Sequence, residues 1–444
     1  MKITILCFVL LLLDITSVLS QDSQAQRDSS LISSDTLLVV GNIIVVGNSS
    51  TKDFVILREM SLQPNSQITQ ELLHYDQERI YSLGLFNRVK LNLIPTSSGK
   101  ADIIVEVSER WYVFPFPILG IKDRDWKKFY YGAGILHSNF RGRNEKLFAT
   151  VILGYDPSVV LSYRNPFISD NGSNMLEAKF SYNKIRNKSV AASEGGNNFD
   201  EQHFSFLLSV GKRIGIKHTF WLSAGYEVVN VSEYQPGRTI SKDGKDKFLI
   251  VGFSYLYDTR DLYEYPSYGT LIKFSMTKYG FPADKVDIIR YGGDLRRYIP
   301  LFSKFVLTGR AFTDIAAAGP TPSYHRIYFG YGERIRGHFR KVMEGENIFG
   351  VSAELHYPLL APMYINLDFL PPEFSVLKFG VVAAAFGDAG TVWFRREPFA
   401  MNSFVKGYGF GIHFLLPYSW VLRTDFGWNE YRRSEFILDL GSSF

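Results

Sequence analysis

Between Tyr328 and Phe339 the chain reads Tyr-Phe-Gly-Tyr-Gly-Glu-Arg-Ile-Arg-Gly-His-Phe, setting two arginines and a glutamate among glycines and aromatics. The chemistry open to these residue types is ion pairing in a confined space. Arginine keeps its charge and presents a planar fork of donors, so one guanidinium can hold two carboxylates at once. Gly337, next to Arg336, lets the backbone turn and approach another surface closely. Away from water, such charges cost several kcal/mol per ion unless they are paired or face a water-filled space. The pattern therefore predicts a lock inside a pore or barrel. Arg334 and Glu333 read as ordinary loop charges.

Covalent and metal chemistry find less support. The sequence contains no Gly-X-Ser-X-Gly elbow, no His-Glu-X-X-His pair and no Gly-X-X-X-X-Gly-Lys phosphate loop. Its eight histidines are scattered without ligand spacing. Gly330-Tyr-Gly332 is a fragment of a nucleotide fingerprint without the strand and helix that fingerprint needs. No enzyme activity, cofactor, metal or nucleic-acid partner is expected, and the net charge of +5 is spread along the chain.

The elements that must position the arginines are strands. Aromatic residues make up 15% of the chain, yet mean hydropathy is near zero, and no apolar run approaches the roughly 18 residues of a membrane-spanning helix. Many aromatics with moderate hydropathy fit a barrel whose strands alternate between lipid and lumen. From Tyr112 onward, segments of about ten residues alternate in polarity and end in aromatics, as in Lys146 to Tyr155 and Phe248 to Tyr257. About eleven precede the Arg336 region and about five follow it, which predicts an all-β transmembrane barrel of roughly sixteen antiparallel strands. Longer polar loops fall near 184–201, 230–246 and 316–346, and 358–375 reads as a long, proline-rich turn among shorter ones. Long loops belong outside, so the short turns face the periplasm together with the N-terminal domain. The last strand ends in Phe444, with Leu440, Leu438 and Phe436 on the same face.

Upstream, Lys2 followed by the apolar run Ile3 to Leu13 and Ser20 describes a secretory signal over residues 1–20. The only cysteine, Cys7, lies within it, so the mature chain has no disulfide framework. Residues 21–34 read as a polar, disordered leader, too short to hold an enzyme domain or a plug helix. The Asn-X-Ser sequons at Asn48, Asn171, Asn187 and Asn230 are of a kind that arises readily by chance in a chain rich in Asn and Ser. A small α+β domain follows over 35–109: a strand from Leu38 to Gly47, a helix capped by Thr51 and running to about Met60, and a helix from Ile68 to Leu83 stopped by Gly84. Two strands, Arg88 to Ile94 and Asp102 to Val107, complete the order β-α-α-β-β.

This domain resembles a POTRA domain, the periplasmic module of outer-membrane assembly factors. The resemblance rests on Ile44-Val-Val-Gly-Asn48, Phe54-Val-Ile-Leu-Arg-Glu-Met60, Leu83-Gly-Leu-Phe86 and Ile104-Val-Glu-Val107. With the Arg-Ile-Arg-Gly-His-Phe loop, Asn139-Phe-Arg-Gly-Arg143, Asp258-Thr-Arg-Asp261, Tyr265-Pro-Ser-Tyr-Gly269 and Phe386-Gly-Asp-Ala-Gly-Thr-Val-Trp393, the chain resembles the BamA/TamA/Sam50 superfamily of outer-membrane assembly factors, with the barrel over 110–444. The resemblance implies that the loop folds back into the lumen and that Arg336-Gly337 meets acids on the following strands, here Glu354 and Asp388. His338 departs from the aromatic or aliphatic residue expected there, and Phe339 is expected to supply the packing. The terminal strand resembles the signal that marks such barrels for assembly.

The implied function is assembly or translocation of client polypeptides at the outer membrane of a Gram-negative bacterium. The secretory signal argues against an organelle membrane. Unfolded outer-membrane or secreted polypeptides would be the partners, with outer-membrane lipids and accessory periplasmic proteins. Clients would add a strand to the edge at Arg88, Val89, Leu91 and Leu93. A seam between the first and last strands would be weakened by Pro115, Pro117 and Gly441 and end at Phe444. The other readings are a structural or channel-forming barrel without insertase activity, and a dedicated translocator for one secreted partner.

Overall fold

The computed structural model describes residues 38–97, 99–122, 126–168, 173–187, 189, 199–281, 284–367 and 369–441. The signal peptide, the leader and Phe444 lie outside them. The N-terminal domain is built from β1 (Val39–Val46), α1 (Asp53–Leu57), α2 (Gln70–Tyr81), β2 (Phe86–Ser97) and β3 (Lys100–Glu109). β3 is central, parallel to β1 and antiparallel to β2. Thr69 caps α2, its hydroxyl accepting from the Leu72 amide at 3.2 Å. Thr51 does not cap α1, which begins later and is shorter than expected. Its hydroxyl instead lies 2.9 Å from the Tyr112 hydroxyl and accepts from Asn139 Nδ2. Ile56, Ile80, Val105 and Ile103 are fully buried between sheet and helices.

Sixteen strands form one antiparallel sheet. The first eleven are β4 (Val113–Ile121), β5 (Phe129–Phe140), β6 (Glu145–Gly154), β7 (Ser158–Asn165), β8 (Asn174–Arg186), β9 (Asp200–Ile214), β10 (His218–Val231), β11 (Lys245–Asp258), β12 (Gly269–Tyr279), β13 (Ile288–Pro300) and β14 (Val306–Ala318). A small hairpin, β15 (Ile327–Phe329) with β16 (Met343–Gly345), interrupts the run without joining the large sheet. The last five are β17 (Asn347–Asn366), β18 (Val376–Trp393), β19 (Val405–Leu416), β20 (Trp420–Asn429) and β21 (Ser434–Gly441), with α3 (Pro372–Ser375) between β17 and β18.

The two faces alternate as a membrane barrel requires. On β9, Phe204, Phe206, Leu208 and Val210 point outward and are exposed, while Ser205 and Ser209 hydrogen-bond across to Ser181 and Ser223 at 2.8 Å. The sheet curls far enough that Phe114 on β4 meets Tyr418, between β19 and β20, with ring centroids 5.7 Å apart.

The expectation of a long proline-rich turn at 358–375 is corrected. β17 runs on to Asn366, and the register slips between Pro358 and Leu360 and again between Leu360 and Met363. Proline has no donor for the ladder, and an irregularity lets the strand pass Pro358 and Pro362 without ending.

The N-terminal domain sits on one mouth of the barrel. Phe167, between β7 and β8, and Leu262, between β11 and β12, belong to the domain's own apolar core. The Lys52 amide donates to Gly142 O at 2.9 Å, Asn87 Nδ2 to Glu373 O at 2.5 Å, and the Tyr263 amide to Ser82 Oγ at 3.1 Å. Glu59 is buried between Arg79, 3.0 Å away, and Arg213 of β9. Burial raises the Glu59 carboxyl, but Arg213 and Arg79 outweigh it and hold the group below the ordinary carboxylate value. A buried carboxylate bridging domain and barrel thus keeps its charge.

Candidate functional site: a loop clasped to the barrel wall

The connection from β14 to β17 folds back against the wall of the barrel. Its hairpin anchors it through Phe329, which is buried with Ile335 among Phe312 of β14, Ile348 of β17 and Val405 of β19. The apolar anchor of the tip is therefore Ile335. Phe339, expected to do the packing, is only half-buried and lies under the Arg334 guanidinium, 4.1 Å from its ring centroid. His338 is buried in its place, with Nε2 at 2.6 Å from Glu430 Oε2.

Arg336 is the centre of the site. Its Nε donates to Asp388 Oδ2 at 2.7 Å and one terminal nitrogen to Oδ1 at 2.8 Å, a bidentate pair. The other terminal nitrogen bonds Glu354 and lies 3.5 Å from Asp425 Oδ2. The guanidinium carbon is 3.6 Å from the centroid of the Phe386 ring, so the plane is held by stacking as well as by charge. Strand geometry explains the convergence. Ser352 pairs with Asp388 and Glu354 with Phe386, so the two acids are two residues out of step on the same face of neighbouring strands.

The backbone of the tip makes an equally close approach. Gly337 has φ +92°, and a Cβ there would lie 2.6 Å from Trp428 O. Its carbonyl accepts from Asn429 Nδ2 at 3.2 Å. Beneath it, a Cβ on Gly407 of β19 would overlap the Arg336 carbonyl oxygen. Substituting Gly407 with alanine is expected to lift the tip and cost roughly 1–3 kcal/mol of barrel stability, as overpacking does. Gly387 on β18, with nothing within 4 Å of its would-be Cβ, should tolerate alanine within about 0.5 kcal/mol. Paired urea titrations of the two variants check this.

Sequence reasoning missed several members. Asp425 and Arg423 stand two apart on β20, and Arg423 reaches Glu354 Oε2 at 3.0 Å. Glu333 is not an ordinary loop charge. It takes both terminal nitrogens of Arg310 on β14, at 2.9 and 3.0 Å, and Arg310 in turn bonds Asp294 of β13. The histidines are not all scattered in space either, since His356 and His413 converge on Glu354.

The remaining predicted residues fall elsewhere. Pro115 and Pro117 lie on β4 and Gly441 on β21, the two end strands of the large sheet, and no ladder joins those strands among the described residues. β4 pairs with β5 without interruption. Antiparallel donors alternate in direction, so a regular ladder leaves both proline nitrogens on the open edge. Arg88, Val89, Leu91 and Leu93 are on β2, an edge of the three-stranded sheet. Val89, Leu91 and Leu93 pack into the domain's own core, so only the backbone and side chains such as Arg88 and Lys90 are presented outward.

Fold and site together define a transmembrane β-barrel with an internal loop clasped to its wall and a small α+β domain at its mouth. Residues 139–444 match the Omp85 superfamily domain, and residues 38–110 match the POTRA family described as a surface antigen variable number repeat. The chain belongs to the Omp85 superfamily. It is 23% identical over 309 residues to the outer membrane protein assembly factor BamA of Nitratidesulfovibrio vulgaris, an alignment covering 67% of this chain and 37% of that protein. The chain thus spans little more than a third of the curated relative it matches. Several solved structures are similar in fold. BamA from Haemophilus ducreyi lacking POTRA domains 1-3 gives a TM-score of 0.54 at 18% identity, covering 92% of this chain and 85% of that one. CdiB from Escherichia coli gives 0.55 at 10% identity, covering 92% and 77%.

Proposed function

We propose that the chain is an outer-membrane protein that assembles or translocates client polypeptides, using neither ATP nor covalent catalysis. Residues 35–109 form its periplasmic domain and 110–444 its barrel. Unfolded β-rich polypeptides reach the periplasmic side and add a strand to the open edge of β2 through main-chain hydrogen bonds. The client then meets the barrel at the seam between β4 and β21. The observation that carries this reading is that no ladder joins the two end strands among the described residues, with two donors missing from one of them. An unpaired edge in a membrane protein is a template for another strand. Outer-membrane lipids, and accessory proteins on the periplasmic side, would complete the surroundings.

Depleting the protein and quantifying other outer-membrane proteins tests the reading. A broad fall in barrel proteins is expected. Loss of a single secreted protein would redirect the proposal to a dedicated translocator, and unchanged levels of all of them would overturn it in favour of a pore or scaffold.

A further inference from the structure

We propose that Glu354, His356 and His413 form a binding site for a divalent transition-metal ion of the zinc class, set into the wall beside the clasp. The inference is independent of client handling. All three side chains are buried, and their ligand atoms lie within 4.8 Å of one another. Two imidazoles and a carboxylate are the donor set that zinc and its neighbours prefer. Two ligands each about 2.1 Å from one tetrahedral ion stand roughly 3.4 Å apart, so an ion would part His356 from Glu354, now in hydrogen-bond contact, and draw His413 slightly closer.

The donors are held ready by their neighbours. Glu354 divides its oxygens: Oε2 takes Arg336 and Arg423, while Oε1 faces His356 Nε2 and His413 Nδ1. Asp425 Oδ1 lies 3.1 Å from His413 Nε2. A carboxylate there fixes the proton on Nε2 and leaves Nδ1 with a lone pair that can ligate a metal ion, the arrangement of a carboxylate–histidine–metal relay. Nδ1 and Glu354 Oε1 are 3.9 Å apart, too long for a hydrogen bond and suited to two ligands of one ion. The hydroxyl of Tyr265, between β11 and β12, stands 3.0 Å from the same Nδ1, and its ring centroid is 4.9 Å from that of His356. It can complete the coordination directly or through a water. A bound ion would tie this connection to β17 and β19.

Charge favours a cation. The clasp sets two guanidiniums, those of Arg336 and Arg423, against three carboxylates, those of Glu354, Asp388 and Asp425. Buried charge without a counterion is costly. A metal ion held by Glu354, His356 and His413 would add positive charge to this acid-rich cluster, taking the place of the proton in the His356–Glu354 hydrogen bond.

The test uses the full chain, folded in detergent without a histidine tag and stripped with EDTA, and Co²⁺ as the probe. Stoichiometric Co²⁺ binding with a visible d–d band is expected, displaced by Zn²⁺ and abolished in both His356→Gln and His413→Gln. Asp425→Asn should weaken binding by about 10–100-fold. Because the variants could fail to fold, the wild-type protein supplies a second readout: Zn²⁺ should raise its thermal unfolding midpoint and EDTA should reverse the rise. No saturable binding to the folded wild type, a band that survives both histidine substitutions, or an unmoved midpoint would each overturn the proposal. The last result would leave a shared proton between His356 and Glu354 as the compensating charge.

Discussion

Replacing Arg336 with alanine should lower barrel stability by roughly 3–5 kcal/mol, the cost of removing one partner from a buried ionic cluster. Three carboxylates converge on that guanidinium, and without it Arg423 is the one guanidinium that the described residues bring to them. Lysine should recover little. Its ammonium is a point charge that cannot pair with both oxygens of Asp388 while reaching Glu354, nor stack on Phe386. Arg334, two residues away and exposed, provides the contrast: its removal should cost no more than about 0.5 kcal/mol. Urea midpoints of the three variants measure these differences. An Arg334 variant as unstable as the Arg336 variant would show that loop charge in general, and not the clasp, supports the barrel.

A disulfide joining β4 to β21 should abolish the proposed client assembly while leaving the barrel folded and its clasp intact. A covalent closure removes the only pair of strand edges in the large sheet that the described residues leave open. The single native cysteine lies at position 7, so an engineered pair can be oxidised and reduced without competing thiols. Activity lost on oxidation and restored by reductant is the expected result. Undiminished assembly with the seam locked would remove the seam from the mechanism.

Much of the architecture is readable from period-two patterning. Strands half in lipid and half in lumen write their alternation into the sequence, which is why eleven strands before the loop and five after it could be counted. Pro358 and Pro362 misled the reading because a bulge, invisible in composition, carries β17 past them. The clasp was legible where a motif pointed to it and opaque where the pairing is made by strand register. Asp425 joins Asp388 only because β19 lies between their strands and presents glycine at 407, 409 and 411. That run was itself a signal, since glycine at every second position of a strand marks a face on which another backbone comes close. Glu354 and His356, two apart on a strand, likewise had to share a face. Their meeting with His413, however, depends on a fold of the sheet that no local pattern records.

The central claim, that the loop is clasped to the wall through Arg336, is tested most directly by a double-mutant cycle. Arg336→Ala, Asp388→Asn and the double variant would be compared with wild type by urea unfolding of the folded barrel. The bidentate pair predicts a coupling energy of about 2–3 kcal/mol, the double variant being far less destabilised than the sum of the singles. Effects that add to within about 0.5 kcal/mol would mean that the two residues do not act on one another, and the clasp would be contradicted.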